Sequence, residues 1–175
     1  DGVFKYVNSA ESRQTPLMHH ADVATLVLTG LRLEPGQYDC EDLYTEHPEL
    51  MEDAIFVYGS QLEEDRLELP EGVAAPLPVD ALYMYEVHYF NITDEDLEVE
   101  SYLNAYTIPK EEMTDAIYGG VNRDQDINVP AGAEDHVEWT RCVFNEPADV
   151  LMISTHTHEL GRRAHLPLRK CKQLD

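Results

Sequence analysis

The chain has 175 residues, 43% of them hydrophobic, with 12 basic against 35 acidic residues and a formal net charge of −23. That apolar content supports a packed core and argues against global disorder. The charge disfavours nucleic acid and anionic membrane as partners, because both need a positive surface, and no apolar run is long enough for a transmembrane span.

The acid is spread along the chain (residues 63–65, 94–100, 111–115 and 124–126), as on a solvated, highly soluble surface. Asp124-Gln125-Asp126 is too short a fragment for a calcium-binding loop. The opening DGVFKY has neither Met nor a basic-then-apolar leader, so a processed or excised segment is expected. The three cysteines, Cys40, Cys142 and Cys171, are widely spaced without a C-x2-C pair, which argues against a zinc ribbon.

In chain order, residues 1–18 are polar, contain Pro16, and read as a loop with an edge strand. His19-His20 opens ADVATLVLTGLRL, where Val23, Thr25, Val27 and Thr29 alternate with Ala24, Leu26 and Leu28. This predicts a buried strand ended by Gly30 and then Pro35-Gly36. Pro48 predicts a short helix over residues 49–55, with Glu49 and Glu52 in its first turn. Residues 59–68 are mostly polar, residues 69–73 form a turn, and residues 74–78 continue extended.

Residues 82–91, LYMYEVHYFN, are a strand with Leu82, Met84, Glu86, His88 and Phe90 on one face. Tyr83, Tyr85 and Tyr89 share the other face, as core packing. Asn91-Ile92-Thr93 is a glycosylation sequon within a turn. Another strand is expected over residues 97–108, a helical turn or two over 111–118, and a turn at Pro130-Ala131-Gly132. Residues 136–144 alternate as a strand, and a further strand begins at Val150. Leu166 and Leu168 start one more. Many short strands with Pro/Gly turns and little helix predict an all-β chain built as sandwiches, with residues 108–128 the least strand-like stretch that could divide two domains. The division is expected at residues 1–107 and 108–175.

The chemistry sits in the histidines. Alternation along the last strand puts His156 and His158 on one face, close enough to chelate one ion. His19, His20 and His88 lie at other strand ends. Adjacent His19 and His20 serve one ion only where the strand begins and its backbone bends. Neutral imidazole suits copper, zinc, iron and nickel alike, so the residues leave the metal open. Glu86 shares a face with His88 and is a candidate to orient it. His47, His136 and His165 read as loop or surface residues.

Together, MHHADVATLVLTG, LELPEGV, YMYEVHYFN, INVPAG, WTRCVF and STHTHELGRR resemble the copper type II, ascorbate-dependent monooxygenases, the family of peptidylglycine α-hydroxylating monooxygenase and dopamine β-hydroxylase. The resemblance covers about residues 19–163. It implies an exported protein, secreted or periplasmic, with two copper ions on two antiparallel, jelly-roll-like β-sandwich domains, both incomplete in this segment. By position, His19, His20 and His88 match the electron-transfer copper site. His156 and His158 match two of three ligands of the catalytic site, where a substrate C–H bond is hydroxylated with O2 and electrons from ascorbate. The third ligand, a Met, is expected beyond this segment. So are the disulfide partners that the family gives to the cysteines matching Cys40 and Cys142. Ser154 stands where the peptide-amidating branch carries Arg, so no clamp for a peptide carboxylate is implied. The alternative is a non-catalytic copper-binding, electron-transfer protein; the substrate is left open.

Overall fold

A computed structural model describes residues 3–122, 124, 126–144, 146–155, 157 and 161–167. The chain divides into two compact units, Asp1–Val121 and Asn122–Asp175. The first unit is mostly strand: β1 (Phe4–Gln14), β2 (Met18–Thr25), β3 (Ile55–Ser60), β4 (Glu64–Glu68), β5 (Val73–Pro78), β6 (Tyr83–Tyr89), β7 (Ser101–Ile108) and β8 (Asp115–Ala116). Two short helices, α1 (Cys40–Glu46) and α2 (Leu50–Asp53), lie between β2 and β3, and a 3-10 turn at Lys110–Glu112 precedes β8. The chain is thus all-β in class, with two sheets that are antiparallel apart from the β5–β8 pair.

β1 is the centre of the first, five-stranded sheet, not an edge. From Tyr6 to Gln14 it pairs with β7 on one side, Tyr6↔Ile108 to Gln14↔Ser101. On the other it pairs with β5 through residues 4–7 and with β4 through residues 9–13. The sequence hides this because the inward side chains of β1 are small or polar. Ala10, Ser12 and Gln14 are 6%, 1% and 7% exposed. Two of their polar groups find partners: the Ser12 and Tyr58 hydroxyls lie 2.9 Å apart, and Gln14 Nε2 donates to the Leu62 carbonyl at 2.9 Å, while Gln14 Oε1 is buried without a hydrogen bond. Buried hydrogen-bonded polarity of this kind is stable but gives no hydrophobic alternation.

β4 and β3 also lie in stretches expected otherwise, the polar run 59–68 and the helix 49–55. The helix is confined to Leu50–Asp53, and Ile55 already pairs with Thr25. In β4 alternate residues are half-buried, and Leu67 packs on the core.

The second sheet has the order β3-β2-β6, with β2 central. Ala21, Val23 and Thr25 form its inner face, 1%, 9% and 4% exposed. One core cluster joins the two sheets: Ala10, Val23 and Tyr58 are packed by Val57, Leu67, Tyr83 and Leu103. β2 stops at Thr25, shorter than its apolar run. The Leu26 amide makes a last bond to the Leu82 carbonyl, and the chain then turns away, leaving Val27 and Leu28 exposed. Leu26 instead meets Leu43 of α1 and Leu50 of α2 in a second cluster, which Met84 and Tyr44 border. The start of α1 is marked by Asp39, whose carboxylate accepts from the amides of Glu41 and Asp42. Of the tyrosine row, only Tyr83 reaches the core. Tyr85 and Tyr89 are 40% and 45% exposed, because β6 is an edge strand.

The turn at residues 69–73 is as expected, with Gly72 at φ +78°. The second unit has no helix or strand among its described residues. Its Pro130 turn forms, closed by the Ala133 amide on the Pro130 carbonyl at 3.1 Å. The strands expected over residues 136–144 and from Val150 do not form among the described residues. An alternating pattern needs a neighbouring strand to take up its backbone hydrogen bonds, and here Val137, Trp139, Val143, Leu151 and Ile153 stay exposed.

Candidate metal centre

β2 and β6 run antiparallel with His20 opposite His88 and Asp22 opposite Glu86. On one face of such a pair, opposed side chains are close neighbours. His20, Asp22, Glu86 and His88 all lie on the face of β2–β6 opposite to Val23 and the inter-sheet core. His19 has the wrong parity for that face, and a bulge corrects it. Between Met18↔Tyr89 and His20↔His88, β2 advances two residues while β6 advances one. His19 is the extra residue, and a bulge bends the strand and re-aims the side chain there. Just before it, Leu17 takes a left-handed φ of 77° after Pro16, and the Met18 amide closes the turn on the Thr15 carbonyl. That position ordinarily favours Gly.

The result is a cluster of three imidazoles. Ring centroids are 5.0 Å apart for His19–His20, 5.3 Å for His19–His88 and 5.1 Å for His20–His88. One nitrogen of each ring lies within 4.8 Å of the others, close enough to converge on a single ion. Three nitrogen donors on partly exposed rings fit copper, zinc, iron or nickel. No other group of three or more His, Cys, Asp or Glu side chains among the described residues converges in this way.

Two kinds of neighbour surround the cluster. The Phe90 ring packs on His88 at 4.8 Å and on His19 at 5.4 Å, an aromatic wall on one side. On the other, Nε2 of His20 faces Oε1 of Glu86 at 3.6 Å and Oδ2 of Asp22 at 4.0 Å. Glu86 is therefore placed against His20, where the sequence suggested His88. The reason is the register: Glu86 stands opposite Asp22, so its side chain reaches the ring across the strands. Glu86 also accepts a hydrogen bond from the Tyr44 hydroxyl. Gly59, opposite Asp22 on β3, leaves space for the Asp22 carboxylate; a Cβ there would clash with Asp22 Oδ1 and meet the Phe56 ring at 2.8 Å.

Asp22 and Phe90 are readable from the sequence by parity alone, two residues beyond His20 and His88. Tyr44 is not, because its helix was not seen. Near the centre, Cys40 is a free thiol. Partial burial pushes its pKa up, and the Glu86 and Asp39 carboxylates add to that. Cys142 is likewise free and exposed. His156 and His158 lie outside the described residues, as do Leu168 and Cys171. His136 bonds Glu138 at 2.7 Å, and this contact, with the Asn128 amide, holds the Glu138 carboxyl below the usual range. His47 lies 3.4 Å from Glu49.

Compared with known proteins, the chain matches no family model, no curated protein and no solved structure. No helix among the described residues is long and apolar enough to cross a membrane.

Proposed function

We propose that His19, His20 and His88 hold a copper ion, and that the chain is part of an exported copper- and ascorbate-dependent monooxygenase that hydroxylates a substrate C–H bond with O2. The observation that carries the metal part is the convergence of three imidazole nitrogens from β2 and β6 within 4.8 Å. The choice of copper and the oxygenase chemistry rest on the order of motifs from His19 to Arg163. Bound copper supplies one-electron transfer. The chain's own part is to offer three neutral nitrogen donors, to shield two of the rings with Phe90, and to set carboxylates beside the third. In this reading His156 and His158 belong to a second, catalytic copper site, and the first unit is a β-sandwich domain. Ascorbate is the reductant, and the protein is secreted or periplasmic.

A second reading is a copper-binding protein that transfers electrons without catalysis. It needs only His19, His20 and His88, the three imidazoles that converge. Copper titration of the full chain with electron paramagnetic resonance separates the two. Two ions per chain with imidazole ligation support the oxygenase; one ion supports the electron-transfer protein; none sinks both. For the oxygenase, ascorbate-dependent oxygen uptake is expected to vanish in His158→Ala.

A further inference from the structure

We infer that Tyr44 is a positioning residue for the metal centre, acting through Glu86 on His20; this rests on the proposed metal site. The two oxygens of the Glu86 carboxylate have different partners. Oε2 accepts from the Tyr44 hydroxyl, and Oε1 faces Nε2 of His20 at 3.6 Å. The side chains of Glu86 and His20 are each only 20% exposed, so water competes weakly for either contact.

Tyr44 is in turn fixed by its helix. Its neighbour Leu43 is buried against Leu26 and Leu50, and Asp39 caps the first turn. The hydroxyl also lies 4.0 Å from Met84 Sδ, two residues before Glu86 on the same face of β6. A side chain from outside the sheet thus clamps a carboxylate whose free oxygen is aimed at one of the three rings.

The chemical consequence is a choice of nitrogen. A carboxylate beside Nε2 favours the tautomer that carries its proton there, which leaves the Nδ1 lone pair of His20 for an ion. Carboxylates that accept from the far nitrogen of a ligating imidazole orient the ring and raise its basicity. At 3.6 Å the Glu86–His20 contact is longer than a hydrogen bond, so its direction depends on how firmly the carboxylate is held. Without the Tyr44 hydroxyl, Glu86 is free to rotate toward solvent, and His20 loses its bias. His19 and His88, which pack on Phe90, keep theirs.

The test is Tyr44→Phe in the full chain, with two readouts. Long-range ¹⁵N–¹H spectra of the metal-free protein report the tautomer of each histidine. The expected result is that His20 shifts from Nε2-protonated toward a mixture while His19 and His88 are unchanged. Competition titration with copper alone is expected to show about a tenfold loss of affinity, at the low end for outer partners of a metal site. Glu86→Gln leaves one accepting oxygen for two donors, so adding Tyr44→Phe to it is expected to change affinity less than twofold.

An unchanged His20 tautomer in Tyr44→Phe overturns the inference. So does a loss of affinity that persists undiminished in the Glu86→Gln background, since Tyr44 would then act through the fold alone. If Tyr44→Phe does not fold, Glu86→Gln is read by the same spectra, and an unchanged His20 tautomer there overturns it too. Failure of the unsubstituted chain to bind copper ends the metal reading and this inference together. Copper binding with an unmoved tautomer ends only this inference.

Discussion

His20 and His88 stand directly opposite each other on β2 and β6, with ring centroids 5.1 Å apart and planes at 83°. Neither strand alone makes a chelate; the antiparallel register does. Replacing either ring removes one of three donors from the cluster. His88→Ala is therefore expected to weaken copper binding by well over the 10- to 100-fold typical of an outer partner. His47→Ala, remote in sequence from all three ligands, is expected to leave binding unchanged. Competition titration of the two variants checks this.

Gly59 is required by what lies across from it. A methyl group there would press on Asp22 and on the Phe56 ring, and Asp22 in turn faces His20. Gly59→Ala is expected to cost about 1–3 kcal/mol, the range for overpacking, and also to weaken copper binding. Gly120→Ala, where an added Cβ meets nothing within 4 Å, serves as the control. Urea unfolding and the same copper titration measure the two effects.

Ser12 is 1% exposed, and the Tyr58 hydroxyl is its partner across the two sheets. Tyr58→Phe leaves the Ser12 hydroxyl buried without that partner. A loss of about 1–3 kcal/mol is expected, the cost of an unsatisfied buried polar group. Burial is the largest cause that raises the Tyr58 pKa, with Asp65 adding and the Ser12 hydrogen bond opposing. A raised folded-state pKa means the neutral phenol is favoured on folding. Its contribution is complete below the ordinary tyrosine range and is lost as pH rises through and beyond it. Tyr58→Phe is therefore expected to flatten the alkaline fall in stability, measured by melting temperature against pH.

The Cys40 thiol is raised first by burial and then by Glu86 and Asp39. The folded state thus holds the thiol proton more tightly than the unfolded chain does. This adds stability below the ordinary thiol range and removes it as pH rises above that range. Since the thiolate is the nucleophile, alkylation of Cys40 near pH 8.5 is expected to be slower in the native protein than in urea. Mass spectrometry of the alkylated peptide reads the rate, and equal rates in both states would contradict the assignment.

The net charge of −23 bears on the reductant. Ascorbate is an anion and is repelled by an anionic protein, and salt screens that repulsion. In the proposed oxygenase, reduction of copper by ascorbate is expected to speed up between about 0.02 M and 0.5 M salt, across which the Debye length shrinks severalfold. A cationic reductant is expected to slow. Stopped-flow absorbance at the two salt concentrations distinguishes the trends.

From the sequence alone came the all-β class, β2, β5, β6 and β7, and the three histidines that converge. These rest on local signals: alternation of side chains along a strand, and imidazoles placed at strand ends. Where the buried face is polar, as in β1 with Ser12 and Gln14, alternation of hydropathy vanishes and a central strand reads as an edge. Where a strand has no neighbour among the described residues, as over residues 136–144, the same alternation builds nothing. The tertiary structure decided how His19 and His20 share one face, because the bulge exists only in the register of β2 against β6. It also decided that Glu86 meets His20 and that Tyr44 holds Glu86. Those contacts join residues about forty or more positions apart, and only the pairing of strands and the docking of α1 by Leu43 bring them within reach.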